Sequence, residues 1–517
     1  MLAARVGGAF WAAPDGGSET VIVVATGDAA LDHQAFTAAL AAHDAADILV
    51  LAEGGSAPLD WLFARCRVVT RADPWSLLER VAEIHTGGES EFGRLGWLAG
   101  RVVHWHGAFQ RFLCPAEWAF SDLVAGTRYV DPYAGRPASA EQTIDLLTEW
   151  RPILAENRRI ACCVGMSHWK RRRIASFFHS GESAPAFVRT ARRAVEHAAR
   201  QGGAIAVWNS RQPADLVRQA AAAGVQLIRV EDGFLRSVGL GSDFLPPASV
   251  IADSRGIYYD PSTPSDLEHI LAEADFGAAL LDRARALLAR LLAQGVTKYG
   301  SGGQAPALAD AGNRRRILVP GQVADDLSVQ LGGGDVRDNL GLLRHVRLAN
   351  PDAFILYKPH PDVEAGHRPG AVAVAQLQQY ASQVISGGAM AALIDQVDEV
   401  HTMTSLAGFE ALLRRRTVHV YGQPFYAGWG LTIDRTPITR RARILSLEQL
   451  VAGVLILYPR YLDPVTSLPC TPELLIERLA DTALWQPGWL MRLRQLQGRV
   501  RRAWRSARPA LLPRSKG

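Results

Sequence analysis

Glu231, Asp232 and Gly233 close a short apolar run, 226–230, and Arg236 and Ser237 follow one step later. In an open parallel α/β sheet, ligands bind in the crevice outside the carboxyl ends of the strands. Two adjacent carboxylates at such a strand end, backed by an arginine and a hydroxyl, read as a reaction centre for an anionic substrate. The plain alternative is an acidic surface turn. Gly233 can take a positive φ and turn the chain sharply.

Four further groups fall at predicted strand ends. Gln322 and Asp325 follow the strand at 315–320, and Lys358, His360 and Asp362 follow the strand at 353–358. Thr404 and Ser405 open a helix that carries Glu410, and the loop 425–430 holds Tyr426 and Trp429. A Thr-Ser pair at a helix start suits an anion, because free N–H groups and the helix dipole favour phosphate; ordinary capping by Ser405 is the simpler reading. Lys358 and His360 would add charge and a donor to the same phosphate, and Glu410 could accept from ribose hydroxyls. Tyr426 and Trp429 are candidates for substrate contact, with packing as the alternative.

The elements that must position these residues alternate strand and helix. Strands at 159–166, 204–208 and 226–231, with helices at 187–201 and 214–223, make one Rossmann-like half. A helix at 277–295 and the Gly-rich run 297–304 lead into a second half with the same grammar. The predicted architecture is α/β. Residues 1–150 form a truncated α/β module with its connector. Halves at 151–312 and 313–484 face a cleft through parallel sheets, and 485–517 are a basic amphipathic tail.

Composition supports a globular chain: 517 residues, 48% hydrophobic and 21% charged. The N-terminus has one Arg in a short glycine-broken apolar stretch, so a secretory leader is not expected. Five cysteines without metal spacing fit a reducing cytoplasm. Nine Arg or Lys and no acid follow Trp485, so subtracting nine from the net +5 leaves −4 for the rest. The basicity is a tail property and not a nucleic-acid face. Trp489, Leu490, Leu493, Leu496 and Trp504 are interleaved with those arginines, a pattern suited to an anionic membrane surface.

The chain also repeats itself. The segment from Arg128 (RYVDPYAGRP) aligns with that from Arg460 (RYLDPVTSLP), and 90–107 aligns with 405–422. The front copy has AEGGS where the second has KPHPD, and Leu95 in place of Glu410. The front copy is therefore expected to be structural.

From about residue 158 to 479 the chain resembles the bacterial capsular polysaccharide Kdo transferases of the KpsC and KpsS type. The resemblance rests on EDGFLRSVGLGSD (231–243), DSRGIYYD (253–260), KPHPD (358–362), HTMTSLAGFEALL (401–413) and YGQPFYAGWGL (421–431). It implies a GT-B fold, CMP-Kdo as donor, and β-Kdo transfer onto a Kdo-bearing phosphatidylglycerol-type lipid at the inner face of the cytoplasmic membrane. It implies Asp232 as nucleophile in a retaining double displacement. Glu231 is assigned to orientation, since neighbouring strand residues point to opposite faces. Arg236 and Ser237 would hold the Kdo carboxylate, and Lys358, His360, Thr404 and Ser405 the departing CMP phosphate. No metal or other cofactor is expected. Family members of the KpsC type carry two full modules; this chain has one, which removes one predicted active site. The alternatives are an inverting, sialyltransferase-like enzyme and a catalytically silent scaffold of a capsule export complex.

Overall fold

The computed structural model describes residues 1–53, 65–107, 115–238, 245–297, 300–301, 306–364, 366 and 368–485. They fall into two compact units: Met1–Ile160 with Phe178–Pro185, and Ala161–Phe177 with the chain from Ala186 onward. The tail beyond Trp485 and the GLGSD part of the acidic motif lie outside the described residues.

The first unit is built on a wholly parallel sheet ordered Arg67–Val69, Ile48–Ala52, Val21–Ala25, Glu83–Thr86 and Val102–Trp105. Val21–Ala25 and Ile48–Ala52 are buried throughout, so they read as unbroken apolar runs instead of alternation. Helix Ala29–Ala42 begins where the Asp28 carboxylate accepts from the N–H groups of Ala30 and Leu31.

The second unit carries two six-stranded sheets. One is wholly parallel, ordered Gln383–Val384, Phe354–Lys358, Arg316–Pro320, Glu399–Thr402, Thr417–Val420 and Ile433–Asp434. Helix Asn339–Ala349 covers it, with Leu342, Leu343 and Val346 packed on Ile317, Val319 and Ile355. The other runs Arg460–Tyr461, Ser249–Asp253, Leu227–Asp232, Ala204–Trp208, Ile160–Val164 and Ala186–Phe187.

That second sheet corrects two sequence expectations. It is mixed, because Ser249–Asp253 runs antiparallel to Leu227–Asp232 and Arg460–Tyr461 antiparallel to Ser249–Asp253. A parallel return needs a helical crossover, and the connection after Asp232 has none among its described residues. The helix expected from 187 begins at Ala191. Ala186–Phe187 instead pairs with Cys162 and Cys163, and the Val188 N–H extends the ladder to the Cys163 carbonyl at 2.9 Å.

The internal repeat is present in three dimensions. Both copies form the same antiparallel bridge, Val130 with Pro137 and Leu462 with Pro469. Both have a π-helical turn beforehand, Ser121–Ala125 and Ala452–Leu457. Each places its tyrosine hydroxyl on a carbonyl of that turn: Tyr129 on Val124 at 3.0 Å, Tyr461 on Leu455 at 2.7 Å. The first unit thus repeats the parallel-sheet half of the second, in the same strand order.

Candidate active site

Strand Leu227–Asp232 delivers both carboxylates to a cavity of about 700 Å³ within the second unit. Alternation predicts that Glu231 and Asp232 face opposite ways, yet both line the cavity. Asp232 ends the strand, and Glu231 bends back so that its Oε1 accepts the Asp232 N–H at 3.2 Å. Gly233 does not take the positive φ open to it. Its value is close approach: its N–H reaches the Ser249 carbonyl at 3.0 Å, and a Cβ there would lie 2.2 Å from Ser249 Oγ.

Each oxygen of Asp232 meets a cation. Lys170 Nζ donates to Oδ1 at 3.1 Å, and Arg236 Nε to Oδ2 at 2.8 Å. Arg236 and Ser237 correct the expectation that they hold a substrate carboxylate. They are 1% and 0% exposed and do not line the cavity. The remaining Arg236 nitrogens donate to Ser237 Oγ and the Leu245 carbonyl. They brace the aspartate from behind.

Lys170 was not singled out in the sequence, where it is the first of four basic residues in a row. Its place is set by the short turn His168–Lys170 and by Trp208, whose ring lies 3.6 Å below the ammonium. Burial pushes its pKa down, and the Asp232 charge opposes that. Lys170→Met keeps the stem and removes the charge. Asp232 keeps its Arg236 partner, so the loss of thermal stability should stay below the ~3–5 kcal/mol of breaking a buried ion pair outright. Turnover should fall roughly 10-fold or more with little change in KM, since the carboxylate loses one of its two anchors. Steady-state kinetics beside a thermal melt checks this.

The opposite wall comes from the parallel sheet. Gln322, Asp325, Lys358, His360, Thr404, Ser405 and Glu410 all line the same cavity. Gln322 is a clasp: its Nε2 donates to Thr404 Oγ1 at 2.8 Å, and its Oε1 accepts the Thr404 N–H at 3.0 Å. Asp325 pairs with Arg368 at 2.7 Å on the exposed rim. Lys358 is buried and donates to the Gly387 carbonyl, and burial lowers its pKa. His360 Nδ1 accepts the Asp362 N–H at 3.1 Å, so in the neutral ring the proton sits on Nε2 and can be donated. Ser405 caps helix Leu406–Leu413 by accepting from Ala407. Tyr258 and Tyr259, which sequence reasoning passed over, also line the cavity, and burial raises both phenols' pKa, keeping them protonated.

Tyr426 and Trp429 are corrections too. Both are 0% exposed and neither lines the cavity, so they cannot touch a substrate. Tyr426 donates to the Ser405 carbonyl at 2.5 Å, and Trp429 Nε1 to the Phe425 carbonyl at 2.9 Å, fixing the helix start and its neighbouring loop. Gly408 makes that packing feasible, since a Cβ there would lie 2.3 Å from the Tyr426 hydroxyl. Gly408→Ala should therefore destabilise by about 1–3 kcal/mol, seen as a lowered melting temperature. Adding Tyr426→Phe should recover part of the loss.

The chain is similar to several known proteins. The model of the family described as capsule polysaccharide biosynthesis protein matches residues 203–294 and 281–461. The capsule polysaccharide modification protein LipA of Neisseria meningitidis serogroup A is 42% identical over 347 residues, 67% of this chain and 49% of LipA. The chain thus spans about half the length of that relative. Two solved structures from Thermosulfurimonas dismutans KpsC are similar over 62% of this chain and 98% of theirs. The β-Kdo 2,7 transferase is 34% identical with a TM-score of 0.52, and the β-Kdo 2,4 transferase 31% identical with a TM-score of 0.55. With a GT-B arrangement of two Rossmann-like halves and the family's motifs gathered on one cavity, this chain belongs to the capsule polysaccharide biosynthesis protein family.

Proposed function

We propose that this protein is a glycosyltransferase that moves Kdo from CMP-Kdo onto a Kdo-bearing glycolipid in capsule biosynthesis. The observation that carries the reading is the single cavity with paired carboxylates on one wall and Lys358, His360, Thr404 and Ser405 on the other. An Asp232 oxygen bonds to C2 of Kdo as the C2–O bond to the phosphate breaks, and CMP leaves as a monophosphate with the electron pair. An acceptor hydroxyl then bonds to C2, the Asp232–C2 bond breaks, and the hydroxyl proton passes to a base; Glu231 is the carboxylate next to Asp232 on the same wall. Lys358 and the His360 Nε2–H meet the phosphate, and the start of helix Leu406–Leu413 adds its dipole. In this reading no divalent metal is needed for transfer.

The test is incubation with CMP-Kdo and synthetic mono- and di-Kdo lipid acceptors, with the product linkage assigned by NMR. Transfer with retention and a Kdo adduct trapped on Asp232 supports the mechanism. Inverted product without an adduct makes Asp232 a general base. CMP release no faster than from an Asp232 variant favours a silent scaffold.

Among the described residues no helix is long and apolar enough to cross a membrane. The basic tail, outside the described residues, is proposed to hold the enzyme on the anionic cytoplasmic face of the inner membrane, near its lipid acceptor and the export machinery. Deleting 486–517 should weaken sedimentation with anionic liposomes at least ~10-fold, given ~1 kcal/mol per basic residue, and leave turnover on soluble acceptors intact.

A further inference from the structure

The first unit holds a cluster that the transfer reaction does not use. Glu83 opens strand Glu83–Thr86, and three imidazoles converge on its carboxylate. His43 Nε2 lies 3.1 Å from Oε2, His85 Nε2 3.0 Å from Oε1, and His104 Nε2 2.8 Å from Oε1. The ligating atoms of His43, Glu83 and His85 all fall within 4.8 Å of one another. Behind them, His85 Nδ1 is 3.2 Å from His106 Nε2. The cluster sits at the amino end of a parallel sheet, whereas ligand crevices of such sheets lie at the carboxyl ends.

The repeat supplies an internal control. In the second unit Glu399 holds the place of Glu83, with His401 Nε2 at 3.0 Å and His419 Nε2 at 3.6 Å. The pairing of His85 with His104 and of His401 with His419 is the same strand register. There, however, Arg315 Nη1 meets the carboxylate at 2.9 Å, and the helix-ending position taken by His43 in the first unit is Asn350, which accepts from the same arginine. Val21 pairs with Glu83 as Ile317 pairs with Glu399, so the first unit has Glu19 at the position of Arg315. Glu19 is committed to Arg67 and Arg80. Among the described residues, Glu83 has no guanidinium or ammonium partner; where one copy has a fixed cation, the other has a third imidazole.

We propose that His43, Glu83, His85 and His104 bind a divalent transition-metal ion of the zinc class, which takes the place Arg315 fills in the second unit. His43, Glu83 and His85 already bring their ligating atoms together, and His104, outside that group but 2.8 Å from Glu83 Oε1, closes a four-ligand N/O set suited to zinc as its part-exposed ring turns inward. On binding, each Nε2 offers its lone pair and its proton moves to Nδ1; for His85, that N–H then donates to His106 Nε2, orienting the ligand. The metal ties the end of helix Ala29–Ala42 to two strands, a structural role separate from transfer.

The test uses the full, tag-free chain, stripped with chelator, dialysed and titrated with Co²⁺ and then Zn²⁺. One Co²⁺ per chain should produce a visible absorption band of four-coordinate type that Zn²⁺ abolishes, and Zn²⁺ should raise the melting temperature. His104→Ala, at a side chain 46% exposed and so tolerant of change, should weaken Co²⁺ binding at least ~10-fold. Glu83→Gln should do the same, and His419→Ala should leave the band unchanged. Should His104→Ala lose its fold by circular dichroism, His43→Asn, matching the residue of the other copy, serves instead. No band in the wild type, or Co²⁺ binding by the His104 or His43 variant as tight as the wild type's, overturns the site.

Discussion

Asp232→Asn is expected to reduce Kdo transfer from CMP-Kdo by roughly 10³-fold or more, the scale of losing a covalent nucleophile. Asparagine is chosen over alanine for a physical reason. Removing the side chain would leave Lys170 and the buried Arg236 guanidinium without their counter-charge, at a cost of about 3–5 kcal/mol. The amide oxygen still accepts from one of them. CMP should protect the variant from thermal unfolding as well as it does the wild type, because the residues proposed to meet the phosphate stand on the opposite wall. A variant that retains CMP protection and turns over within 10-fold of wild type, a ~1.4 kcal/mol difference, would remove Asp232 from the chemistry.

His360→Gln carries the second large effect, with the opposite signature. The ring is oriented by the Asp362 N–H at Nδ1, which puts the neutral ring's proton on Nε2, the donor of the proposed mechanism. Losing one such preorganised donor costs about 10²–10³ in kcat. CMP protection should shrink in parallel, since in the proposed mechanism this donor meets the CMP phosphate. Asp232→Asn therefore separates chemistry from CMP binding, whereas His360→Gln lowers both. If His360→Gln lowers turnover with CMP protection unchanged, the imidazole acts on something other than the phosphate.

Much of the site was legible because it is local. Lys358, His360, Thr404, Ser405 and Glu410 each follow a strand of four or five residues whose apolar run and exit are written contiguously, and parallel sheets gather such exits on one edge. The repeat was legible for the same reason, down to the turns after Arg128 and Arg460. The failures are instructive. Gly233, Arg236, Ser237, Tyr426 and Trp429 were read for what their chemistry allows, yet backbone approach or complete burial sets their roles.

What the amino-acid order determined by itself is the run of strands and helices and the residues at their ends, since hydrophobic period and capping act over a few positions. Only the tertiary structure decided which distant groups meet. Lys170 reaches Asp232 across 62 positions, and Gln322 clasps Thr404 across 82. Those pairings depend on sheet order and strand direction, including the antiparallel return at Ser249–Asp253. Sheet order and direction arise from packing whole elements against one another, a nonlocal choice that no short stretch of residues records.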